Sequence, residues 1–245
     1  MSGKGTYMCS HRTLAVIAFC VLVVAVPVAW AHKPIFPDGR GCDQADAIAV
    51  EDVSVSQVAY TELTETCPQL WLTFEGVAGQ DLYLQIALPQ IERFKDLRPA
   101  VAVLGPGLPT VSVPFAVPSG YGGYVFKTDD VSEPKAFHEP FTGTDSWILK
   151  ELNQTVPAAG TYYIVAYIPS GQFGKIWVAF GKAEQFGLGD LLNFGNIVAT
   201  VRAFHEVSRG GGICPVIGFL PIVLGAALLP LWVRPRSRRR LCQTV

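Results

Sequence analysis

Residues 213–233 form an unbroken apolar run of twenty-one positions without a charge, followed at once by Arg234, Arg236, Arg238, Arg239 and Arg240. At about 1.5 Å rise per residue, a helix of that length crosses a hydrocarbon core about 30 Å thick. Pro215, Pro221 and Pro230 fall inside the run, and proline is commoner in membrane spans than in soluble helices. Cationic flanks stay on the cytoplasmic side. Residues 234–245 therefore read as a cytoplasmic basic tail, and the chain before the run as lying across the membrane from it. A removable C-terminal anchor signal is the competing reading, but such signals normally end in their apolar tail.

The other end carries a second apolar run, residues 14–31, preceded by Lys4 and Arg12. It closes on Ala29-Trp30-Ala31, with small residues where a signal peptidase reads. Residues 1–31 are expected to be a signal peptide, and His32 the first residue after cleavage. A retained signal anchor is the alternative. Together the runs predict a type I protein of the plasma membrane or another cell membrane. Its ectodomain, residues 32–207, would lie outside the cytoplasm (extracellular, lumenal or periplasmic), followed by a linker at 208–212 and the span.

All twenty acidic residues lie between His32 and Gly212, against twelve Lys and Arg there, so this part carries about −8. Such a charge disfavours nucleic acid, whose affinity rests on phosphate neutralisation. Of six cysteines only Cys42 and Cys67 fall in the exported part. Two thiols in an oxidising compartment are expected to pair. Cys242, beside the arginines, is a candidate for palmitoylation or an unmodified thiol.

Between the runs, short β-branched and aromatic segments recur, separated by Gly and Pro turns. Residues 32–52 read as a loop, with Pro37-Asp38-Gly39 as a turn signal. Strands are expected at 53–61, with a bulge near Val58, and at 70–74, where Leu70, Leu72 and Phe74 share a face. A third at 80–87 puts Leu82, Leu84 and Ile86 on one face, Tyr83 and Gln85 on the other. Residues 100–104 form a continuous apolar run, expected to be buried on both sides. Residues 111–117, broken by Pro114, read as an edge strand. Short strands are expected at 124–127 and 147–150, and the clearest at 161–168 and 175–180. This pattern predicts a mainly β, antiparallel sandwich or barrel, jelly-roll-like, with one core. After Gly181 the period changes. Leu191, Phe194, Val198, Val201 and Phe204, behind Asp190 as a cap, mark one face of a helix. That face is expected to pack on the sandwich, with Arg202, His205 and Glu206 on the polar side.

Val77-Ala78-Gly79-Gln80-Asp81-Leu82-Tyr83-Leu84 and Pro157-Ala158-Ala159-Gly160-Thr161-Tyr162-Tyr163-Ile164-Val165 resemble the strand pair of bacterial pre-peptidase C-terminal domains, small jelly-roll sandwiches appended to secreted proteins. The likeness covers about a third of the exported part. It implies a sandwich with a non-catalytic accessory role and transfers no site residue. The long interval 88–146 and the added helix depart from that family.

Catalytic motifs are missing from the sequence. There is no G-x-S-x-G elbow, no C-x-x-C, and neither His138-Glu139 nor His205-Glu206 has a second His at zincin spacing. The glycine-rich stretches 105–107 and 120–123 read as turns. This points to a non-catalytic domain that binds a protein or glycan. Histidine offers a different chemistry. A mature N-terminal His32 would supply an imidazole and an α-amine, and His138, or more weakly His205, a third nitrogen for Cu(II). That set is similar to the histidine brace of secreted copper monooxygenases. The plainer reading makes these ordinary hydrogen-bonded side chains. The acids Asp38, Asp43, Asp46, Glu51 and Asp52, and Asp129, Asp130 and Glu133, do not follow calcium-loop spacing. Tyr121, Tyr124 and Trp147 are candidates for stacking on sugars or for the core. Asn153-Gln154-Thr155 is an N-glycosylation sequon, used only in a eukaryotic host.

Overall fold

The alternation of apolar residues between the two apolar runs resolves, among the described residues, into eleven strands and one long helix. A computed structural model describes residues 32–185 and 188–208. The apolar runs 14–31 and 213–233, the arginine tail and Cys242 lie outside the described residues. Among the described residues no helix is long and apolar enough to cross a membrane.

Two sheets face each other. One has six strands, in the order β1 (Lys33–Ile35), β3 (Gln57–Leu63), β11 (Gly174–Phe180), β5 (Asp81–Pro89), β9 (Thr144–Thr155), β8 (Lys135–Glu139). The other has five, in the order β2 (Ile48–Ala49), β4 (Gln69–Gly76), β10 (Gly160–Tyr167), β6 (Ala100–Gly105), β7 (Gly122–Lys127). The short strands β1 and β2 pair parallel to β3 and β4; the other pairings between these strands are antiparallel, and an isolated parallel bridge joins Val55 to Ala183.

The core between the sheets is built as the period of two requires. Leu70, Leu72 and Phe74 meet Leu82, Leu84 and Ile86, together with Val101, Val103, Ile164, Ile176, Val178 and Phe180. Each such side chain contributes about 1.5–3 kcal/mol by leaving water. Tyr162 is fully buried among them, with its hydroxyl 2.9 Å from the carbonyls of both Pro106 and Ala158. It anchors the turn before β10, inside the segment that resembles the pre-peptidase family.

Both outer faces are covered as well. On the six-stranded sheet, Val58, Ala87, Ile148, Trp177 and Ala179 pack with Tyr60, Phe137 and Phe204. Phe204 belongs to helix α1 (Leu188–Phe204). The chain turns toward that helix at Gly181, whose φ of 71° and close approach to Val55 O exclude a side chain. On the five-stranded sheet, Trp71, Ala100, Ala102, Leu104, Val165 and Tyr167 are covered by Val111, Val113, Phe115 and Val117.

Several expectations need correction. The strand expected from residue 53 begins at Gln57. Asp52 Oδ1 accepts from the amide and hydroxyl of Ser54 and holds a turn there. Residues 111–117 form no strand: they lie as an extended strap on a sheet face, where small Ala100 and Ala102 leave a shallow trough for their alternating apolar side chains. Residues 161–168 and 175–180 do form strands, but in different sheets, so the loop between them crosses the sandwich. The loop at 32–52 holds the two short parallel strands, and β8 appears where no strand was expected.

Candidate functional site

Because β1 is so short, it leaves one edge of the six-stranded sheet half covered. Lys33, Pro34 and Ile35 pair with Gln57, Val58 and Ala59, and then the chain departs. Lys33 N donates to Ser56 O at 3.0 Å. Backbone groups alternate sides along a strand, so Ser56, Val58, Tyr60 and Glu62 face β1, while Gln57, Ala59, Thr61 and Leu63 face β11. Past Ile35 there is no strand opposite Tyr60 C=O or the amide and carbonyl of Glu62.

A groove of about 530 Å³ opens along this stretch. Tyr60, Thr61 and Glu62 form its floor. Phe36 to Arg40 form the facing wall, and Thr64, Thr66 and the Cys42–Cys67 disulfide close one end. The disulfide, with 4.8 Å between Cα atoms, ties the wall to the turn after β3. On the chain-entropy account, closing a loop of this length stabilises the fold by about 3 kcal/mol. The wall's own shape is local. Asp38 adopts a φ of 51°, a left-handed conformation that Asp tolerates, and Arg40 N donates to Pro37 O at 3.0 Å. Phe36 stacks on Tyr60 with ring centroids 5.7 Å apart. Asp38 and Arg40 make no ion pair with any described residue. Burial, with the Glu139 carboxylate second, pushes the Tyr60 phenol well above its ordinary value, so it stays neutral.

The three histidines do not converge. His32 precedes β1, half-buried, with Nδ1 bonded to Ser56 Oγ; burial lowers its pKa. His138 lies on β8, exposed, with Nδ1 2.8 Å from Asp145 Oδ1 across the β8–β9 pair. β1 and β8 are opposite edges of the six-stranded sheet. Each imidazole has its own partner on its own edge, Ser56 for His32 and Asp145 for His138. No group of three or more His, Cys, Asp or Glu among the described residues is placed to hold a metal ion.

His205 is not on a polar face but nine-tenths buried under α1, at 6 % exposure. Its Nδ1 lies 2.9 Å from Val201 O, which can only accept, so Nδ1 carries the proton. Nε2 then accepts from Ser146 Oγ at 3.1 Å, and Ser146 Oγ accepts from Trp177 Nε1 at 3.1 Å. The chain of donors is complete with a neutral ring. Burial lowers the His205 pKa most; the Val201 carbonyl and Asp145 raise it, and Lys175 lowers it. One residue on, Glu206 bridges Arg93 and Lys175, which hold its carboxyl at about 2. These contacts clamp the helix end to the sheet.

The acidic loop residues act as turn caps. Asp43 Oδ1 accepts from the amides of Ala45 and Asp46, and Asp46 Oδ2 from Gly41 N at 2.8 Å. Asp130 pairs with Lys150. Of the aromatics, Tyr121 leans on Tyr163 at 6.0 Å, Trp147 packs against the core, and Tyr124 is 39 % exposed. Sequence reasoning missed the groove; its one signal was the pair Cys42 and Cys67.

No family model and no curated protein matches the sequence. Among solved structures, the chain is similar to PliG of Aeromonas hydrophila, a periplasmic lysozyme inhibitor of g-type lysozyme. The identity is 14 %, over 62 % of this chain and 98 % of that one, with a TM-score of 0.32. The pre-peptidase C-terminal domain of collagenase from Bacillus anthracis matches at 12 % identity over 54 % and 91 %, TM-score 0.27. The family suggested by residues 77–84 and 157–165 is therefore among the matches. CorA, a surface-associated copper-binding protein of Methylomicrobium album BG8, matches at 9 % identity over 62 % and 99 %, TM-score 0.29. At these scores the matches do not bear on the site.

Proposed function

We propose that the chain is a single-pass type I membrane protein whose exported, jelly-roll-like sandwich, residues 32–207, is a non-catalytic module that binds a protein or glycan. The observation that carries this reading is the Cys42–Cys67 disulfide. Such a bond persists in oxidising compartments, and here it shapes a groove rather than bracing the core. The apolar runs 14–31 and 213–233 agree with it, as does the arginine cluster behind the second run. Asn153 is exposed, with Oδ1 accepting from Lys182 Nζ at 3.1 Å, and takes a glycan if the host glycosylates. Cys242 is a palmitoylation candidate on the inner side. The groove, with its unpaired Asp38 and Arg40, is the binding surface this reading prefers.

The test is topological. Protease added to sealed cells should digest residues 32–207 and spare a tag after Val245, and alkaline carbonate should leave the full-length chain in the membrane. Release of the full-length chain by carbonate, or a digested tag, overturns the reading.

A further inference from the structure

The groove's floor is main chain, and main chain recognises main chain. Tyr60 C=O and the Glu62 amide and carbonyl point into it with no strand opposite. No described residue outside the strands bonds to them either. In the free chain, water satisfies them. The groove's 530 Å³ lies within the range of pre-formed ligand sites, about 300–1,000 Å³. It is also held open: the disulfide fixes its end, and the Phe36–Tyr60 stack fixes the root of its wall. Here β1 covers half and stops.

We propose that this groove accepts an extended polypeptide segment, which adds to β3 as a strand beyond β1. The proposal rests on the reading of the domain as a binding module and names its ligand class. Affinity would come from the three main-chain groups, and selectivity from side chains at alternate positions. In antiparallel register the guest residue opposite Glu62 both accepts from its amide and donates to its carbonyl, so proline is excluded there. Asp38 and Glu62 line the groove against a single Arg40, which favours a guest carrying lysine or arginine. A second copy of this chain pairing through β3 is disfavoured, because antiparallel pairing about Glu62 sets two carboxylates side by side.

Two measurements on the full chain test this. The first needs no ligand. Amide exchange should be fast at Glu62 and slow at Thr61 and Leu63, whose groups face β11; a protected Glu62 amide in the monomer overturns the proposal. The second uses an acetylated octapeptide of alternating valine and lysine, and its twin N-methylated at alternate residues. The plain peptide should slow Glu62 exchange by about tenfold or more, and the twin should not. Equal effects of both, or none from the plain peptide at millimolar concentration, overturn strand addition. Shifts confined to residues outside the groove would do the same while leaving the binding-module reading intact. Glu62→Pro removes the amide at a position that makes no ladder bond; read by peptide-induced NMR shift changes at Tyr60, Thr61 and Leu63 instead of by exchange at 62, it should fold and lose the response that the plain peptide gives in the wild type. Should it not fold, the twin peptide still decides.

Discussion

The two sheets cover their outer faces by opposite means. The six-stranded sheet is capped by a helix whose end is fixed through polar groups: the Trp177–Ser146–His205 chain and the Glu206 bridge to Arg93 and Lys175. The five-stranded sheet is capped by the strap at residues 106–121, held by Val111, Val113 and Phe115 on Trp71 and Tyr167. Phe115 meets both aromatics edge-on, at 5.3 and 5.2 Å. The strap's backbone bonds lie only near its ends, from Gly123 N to Pro109 O and from Tyr121 N to Pro118 O. Buried polar chains specify one register, because a shifted helix would orphan each member. Apolar straps are tolerant of sliding, because dispersion and burial are not directional. The helix cap should therefore open as a unit and the strap by degrees.

The largest predicted effect falls on the helix cap. Ser146→Ala leaves Trp177 Nε1 and His205 Nε2 without partners in a buried site, and should cost about 3 kcal/mol, at about 1–3 for each orphaned group. Thermal unfolding measures the loss, and hydrogen exchange should place it in α1. A loss shared with residues 110–121 would mean the two caps are coupled. Next comes Phe115→Ala. Its ring is half-buried, so about 2 kcal/mol is expected, below the full core value. Faster exchange should stay within the strap, and spread into α1 would erase the contrast.

Acid gives a finer test. His205 titrates below its ordinary value in the fold, so the unfolded chain binds the proton first. Its contribution is complete above about pH 6.5 and is lost as the pH falls from there through the lowered folded value. His32 shifts the same way, so a global melting curve sums both. Trp177 fluorescence and α1 exchange isolate His205, and strap exchange should not respond. The smallest change expected is from Glu206→Gln. Glu206 and Arg93 are exposed and their pair contributes little, so any effect rests on Lys175, whose side chain is only 12 % exposed. Any effect should fade in high salt, and in the wild type it should be lost progressively as the pH falls from about 4.5, the ordinary carboxylate value, to about 2, where Glu206 protonates in the fold.

The same contrast explains what the sequence disclosed. β4 and β5 were legible because Leu70, Leu72 and Phe74, and Leu82, Leu84 and Ile86, alternate in plain view. β6 was legible because Ala100 to Leu104 are buried on both faces. β8 was not: its Lys135, Ala136 and His138 are exposed at a sheet edge, and no alternation survives there. The strap imitates a strand because it too alternates, but it reads a face rather than a ladder. The helix was legible, yet His205 was misplaced. Its polar ring is buried only because Ser146 and Trp177, from β9 and β11, arrive beside it. The placement of the copper pair was hidden for a related reason: sequence does not show that His32 and His138 fall on opposite edges of one sheet. The groove was legible only as two cysteines, since its floor is backbone, which no residue type announces.

The last turn of α1 is also its most firmly seated. Arg202 reaches Thr142 O at 2.8 Å and Ser208 O at 3.0 Å, His205 is sunk in the sheet, and Glu206 is gripped from two sides. Pulling on the chain after Ser208 therefore loads this anchorage before any strand. It behaves as a mooring: traction from downstream is borne by side chains of three separate elements, and the sandwich above keeps its bearing until they let go.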